Sequence, residues 1–113
     1  MYLSEDAQRI VNESPNQSEL TAVIERAQQQ LEQHLIIPTE LQWTVLINHL
    51  NEMIKRSKSG ESIPTVDPEM FEGISEEALL IAAALVELIG SLPIDEMYVL
   101  SIHFEAAKQN DGE

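Results

Sequence analysis

Apolar residues fall three and four positions apart through four separate windows of this chain, and no stretch alternates long enough to make a convincing strand. In "SELTAVIERAQQQLEQHL" they are Leu20, Val23, Ile24, Ala27, Leu31 and Leu35. In "TELQWTVLINHLNEMIKRSKSG" they are Trp43, Leu46, Ile47, Leu50, Met53 and Ile54. At about 100° per residue each set gathers on one face of a helix. Helices with one apolar face must bury it against other helices. The expected fold is therefore all-α, a compact antiparallel bundle of four to five helices.

Prolines, glycines and capping residues divide the windows. Residues 1–16 read as an N-terminal extension with a short helix over Ser4–Asn12, capped by Ser4. The helical domain spans 17–109, and residues 110–113 read as a frayed tail. Ser18 is the expected cap of the second helix, which runs to Leu35; Pro38 interrupts. The third runs from Thr39 to a stop at Gly60. A two-proline loop follows, with Asp67 and Pro68 set to open a short helical turn through Phe71. Ser75 caps "SEEALLIAAALVELIGSL", apolar almost all round and so expected at the centre of the bundle. The last helix is expected from Pro93 to Gln109.

Twenty acids against six Lys and Arg give a formal net charge of −14. Such a surface repels a phosphate backbone, so direct nucleic-acid binding is not expected. The charge serves solubility, or the steering of a basic protein partner. The 113 residues suit one domain with a modest core, which dimerisation would help. No cysteine is present, which removes disulfides and thiolate metal sites and suits the cytoplasm. "MYLSEDAQRIV" lacks the pattern of a secretory signal, and "ALLIAAALVELIG" is too short to span a bilayer and carries Glu87, so no membrane partner is expected.

Two helices carry a histidine within or beside the apolar face. On the last, Glu96 and His103 are seven residues apart, about 20° around the axis. On the Trp43 helix, Arg56 follows His49 by the same step. A guanidinium beside His49 is expected to lower its pKa and keep it neutral and nucleophilic, and is also a natural phosphate clamp. A carboxylate near His103 is expected to fix its tautomer and raise its basicity. The plainer reading is that both histidines are packed, hydrogen-bonded core residues. His34 has no such partner and reads as structural or surface. His34, His49, His103 and Glu96 lack the close spacing of metal-ligand pairs, so no metal and no cofactor is expected. An enzyme using Glu96 and His103 as acid and base lacks an evident nucleophile or phosphate-cradling loop.

"VLINHLNEMIKRSKSGESI" and "LPIDEMYVLSIHFEAA" resemble the two histidine motifs of the phosphotransferase-system regulation domain, the PRD, and the likeness covers roughly Gln17 to Lys108. The resemblance implies a five-helix bundle that forms a homodimer. It implies that His49 and His103 are phosphorylated by the sugar phosphotransferase system, through the phosphocarrier HPr or a IIB component, with Arg56 and Glu96 as phosphate or histidine partners. In that family phosphorylation shifts dimer packing and switches an effector in transcriptional regulation. The family usually carries two such domains behind a nucleic-acid-binding module; a single stand-alone copy here implies a regulatory module that acts by binding another protein and is not an enzyme.

Overall fold

Thr39 and Gly60 bracket the longest helix, and each does so by a specific bond. The Thr39 hydroxyl accepts from the Gln42 N–H while the Gln42 side chain accepts from the Thr39 N–H, a reciprocal capping box. Gly60 ends the helix at φ 81°, a left-handed conformation that glycine adopts without a Cβ clash. The structure, a computed structural model, describes residues 3–110. Its helices are α1 (Glu5–Glu13), α2 (Gln17–Gln33), α3 (Glu40–Ser59), α4 (Glu76–Ile89) and α5 (Asp95–Lys108), with a 3-10 turn at Pro68–Phe71. No strand occurs among the described residues. The all-α bundle expected from the periodicity is the one observed.

α3 is the helix that the others share, packing against α1, α2, α4 and α5. Leu46, Ile47, Leu50, Met53 and Ile54 of its apolar face are all buried. α5 runs antiparallel to it, and α4 antiparallel to α5, with the Glu105 carboxylate accepting from the Ser75 N–H at the start of α4. That bond lowers the Glu105 pKa. α1 also departs from an antiparallel pairing. Ser4 bonds Thr44 and Ser14 bonds Asn51, so α1 lies parallel along α3 and places Ala7 and Val11 in the core.

Three details differ from the sequence reading. α2 starts at Gln17, not after Ser18, and its cap position is Asn16, whose side chain makes no capping bond. α2 also stops before Leu35. The Ile36 N–H donates to the Leu31 carbonyl and the Leu35 N–H to the Glu32 carbonyl, a Schellman turn. Leu35 sits in it at φ 58° and is 88% exposed. Ile36 takes the expected place in the core, folding back towards Leu31. Finally, α4 is not enclosed: Ala78, Ile81, Ala82 and Leu85 are buried, while Leu80 and Leu88 are exposed. The molecule is 19 Å through its shortest axis, about two helices deep at usual interaxial distances, so every helix keeps an outer face. Of the tail expected to fray, residues 111–113 lie outside the described residues. The Asn110 amide donates to the Ile37 carbonyl and the Gln42 side chain.

The Schellman turn yields a prediction. A leucine in the left-handed region costs about 1–2 kcal/mol, more than the conformational entropy a glycine there loses. Leu35→Gly should therefore stabilise the fold by up to about 1 kcal/mol, read as a higher urea midpoint at an unchanged slope.

Candidate functional site

α3 and α5 cross with two rungs between them. His49 Nδ1 lies 2.6 Å from His103 Nε2, with ring centroids 4.8 Å apart and the planes at 62°, edge to face. Seven residues on along α3 and seven back along α5, Arg56 meets Glu96. The guanidinium donates from Nε to Oε2 at 2.7 Å and from Nη2 to Oε1 at 2.8 Å. Equal steps in opposite directions along antiparallel helices put the rungs about 10 Å apart.

The four residues expected to matter thus come together, but not in the expected pairs. Arg56 turns to Glu96 rather than clamping the space beside His49. Glu96 serves the guanidinium and makes no hydrogen bond to His103, so the Glu96–His103 acid–base couple is not formed. The reason is desolvation. Glu96 is 0% exposed, and a buried carboxylate needs charge-assisted donors that only a bidentate guanidinium supplies here. Those bonds raise the Arg56 pKa.

The imidazoles are half-buried. Burial pushes the His49 pKa down from 6.5 to about 4, assisted by His103 and Arg56 and opposed by Glu96 and Glu52. Burial lowers the His103 pKa as well. Both rings are therefore neutral near pH 7. The contact uses one nitrogen of each ring. His49 Nε2 and His103 Nδ1 make no hydrogen bond with another described residue, and no buried side-chain nitrogen or oxygen lacks a partner, so both outer nitrogens reach solvent. Val45, one turn before His49, and Ile102, next to His103 in sequence, are exposed apolar residues.

His34 stands apart. Its Nδ1 lies 2.7 Å from Glu77 Oε2, joining the end of α2 to the start of α4, and this bond is the main cause of a lowered Glu77 pKa. Glu52 was overlooked in the sequence. It lies one turn beyond His49 and pairs with Lys55; its place beside a candidate nucleophile was readable from the three-residue step. Among the described residues, no cluster of three or more His, Asp or Glu side chains is arranged to hold a metal ion, and no helix is long and apolar enough to cross a membrane.

A family model described as the PRD domain matches residues 21–107, a span that holds both rungs. The chain belongs to the PRD family. A crystal structure of a PRD-containing transcription regulator from Lactobacillus casei is 42% identical to it. The two superpose with a TM-score of 0.91 over 96% of each chain. No curated protein matches the sequence. In this PRD, α3 and α5 are the helices that carry the two motifs, and the rungs are where the motifs meet.

Two predictions follow from this geometry. Arg56→Met leaves a sealed carboxylate without its donors and should cost about 3 kcal/mol or more in chemical denaturation. Adding Glu96→Leu should recover much of that loss, a non-additivity that a double-mutant cycle reads directly. The second concerns pH. Between 6.5 and about 4 the unfolded chain protonates His49 and the folded chain does not, so this group's contribution makes stability fall as the pH drops through that window. The slope of stability against pH in that window should be shallower in His49→Gln than in the wild type.

Proposed function

We propose that this PRD is a regulatory module phosphorylated at its histidine rung by the sugar phosphotransferase system, and that it acts in transcriptional regulation through dimerisation or by binding another protein. The donor is a phosphohistidine on HPr or on a IIB-type component, which places the module in the cytoplasm with those proteins. It binds no nucleic acid directly and turns over no substrate.

The observation that carries this reading is the His49–His103 rung. Two neutral rings from separate helices meet with their outer nitrogens open to solvent. A neutral imidazole nitrogen attacks phosphorus as an amine does, and a protonated one does not. The product adds a charge of roughly −1.5 to −2 by analogy with phosphorylated hydroxyls. The nearest guanidinium is committed to Glu96, and Glu52 stands one turn away, so the phosphoryl group meets little positive charge on its own chain. Val45, one turn before His49, adds exposed apolar surface suited to a second copy. A phosphate arriving at such a seam changes the balance between two dimer packings. The regulatory role of the 42% identical Lactobacillus casei protein supports the same assignment.

One observation favours a plainer reading. The rings hydrogen-bond each other and are half-buried, as packed histidines in a dimerisation scaffold would be. Incubation with enzyme I, HPr and phosphoenolpyruvate separates the two. Intact-mass measurement should show added phosphoryl mass on the wild type and none on the His49→Ala/His103→Ala double variant. Sedimentation velocity should show the monomer–dimer balance shifting with phosphorylation. A wild type that stays unmodified with HPr and with IIB donors leaves the scaffold reading.

A further inference from the structure

A hydrogen bond between two neutral imidazoles contains one proton. If that proton sits on His49 Nδ1, then His49 Nε2 carries a lone pair towards solvent and His103 Nδ1 carries a hydrogen. If it sits on His103 Nε2, the assignments reverse. At any moment the rung presents one outer lone pair, not two. The contact at 2.6 Å therefore leaves one ring at a time able to act as the nucleophile.

We infer that the two histidines divide the phosphoryl-transfer step between them, His49 Nε2 attacking phosphorus and His103 holding the His49 tautomer and accepting its Nδ1 proton. This rests on the phosphotransfer reading above and assigns unequal roles within it. His103 is a positioning residue, since it acts through His49. The direction follows from placement. The contact leaves His49 its Nε2, at the far end of the ring from the backbone, and leaves His103 its Nδ1, beside its own Cβ, where an incoming phosphorus has less room.

The step balances as follows. The donor's imidazole, protonated on its free nitrogen, leaves phosphorus as neutral imidazole, keeping the electron pair of the broken P–N bond. The His49 Nε2 lone pair forms the new N–P bond, which makes the ring cationic. Its Nδ1 proton passes along the hydrogen bond to His103 Nε2. His103 then releases the hydrogen on its outer Nδ1 to water. Removing charge from the phosphorylated ring disfavours return of the phosphoryl group, and a positioned base of this kind contributes about 100-fold or more in related proton transfers.

The test uses the full chain, with circular dichroism as the check that each variant folds. Nitrogen-15 NMR of the rings should show His49 protonated on Nδ1 in the wild type and in His103→Gln, whose amide oxygen can accept the same hydrogen bond. In His103→Ala, Nε2-protonated His49 should appear. Phosphorylation of His49 by phosphorylated HPr should slow about tenfold or more in His103→Ala and less in His103→Gln. His49→Ala should accept phosphate at a rate far below the wild type. A wild-type His49 protonated on Nε2, an undiminished rate in His103→Ala, or phosphate found on His103 in the wild type would overturn the assignment. If the wild type accepts no phosphate at all, the phosphotransfer reading falls. The division of roles is then read with diethyl pyrocarbonate, which acylates neutral imidazole. Faster acylation of His49 in the wild type than in His103→Ala supports it, and equal rates sink it.

Discussion

A carboxylate sealed from water sets the terms for this fold. Glu96 is tolerable inside the bundle because one guanidinium meets both of its oxygens, and that guanidinium comes from another helix. The bond fixes how α3 and α5 lie: antiparallel, and in one register. A slip of one turn between them would strand Glu96 and separate the imidazoles in the same movement. The ion pair contributes little net stability by comparison with an apolar pair of the same volume. Its effect is on specificity.

Much of this was legible beforehand, for reasons that differ from element to element. The helices show because apolar spacing and caps agree: Ser4, Thr39, Asp67 and Ser75 each accept the bond that a cap residue is suited to accept. The end of α2 was misread because Leu35 continues the spacing of Leu31, and periodicity alone cannot distinguish a helix from a turn that folds Ile36 back into the same core. α4 was misplaced because composition says how apolar a helix is, not how many neighbours a two-layer molecule can give it. The four site residues were visible from their seven-residue steps. The pairing of Arg56 with Glu96 was not, since a helical wheel compares residues along one axis and this rung runs between axes.

The site depends on a division of labour between the rungs. The ion pair is saturated: its donors and acceptors are spent on each other. The histidine rung is saturated only inward. Each ring has one nitrogen engaged and one facing water, so the pair is rigidly placed yet chemically unfinished. Positions of this kind, in which a well-ordered group retains an unused lone pair at the surface, are where a folded chain most readily does chemistry.

Five of the six lysines and arginines are tied to acids: Arg9, Lys55, Arg56, Lys58 and Lys108 pair with Asp6, Glu52, Glu96, Glu19 and Glu77. What remains to face outward is almost wholly carboxylate. The field beyond the surface is thus of one sign and reaches about 8 Å in physiological salt. A protein that docks here must bring its own cations, and it is drawn in faster when the salt is dilute. Acidic neighbours are turned away before any contact is made, so a first sorting of partners happens at long range, by sign alone.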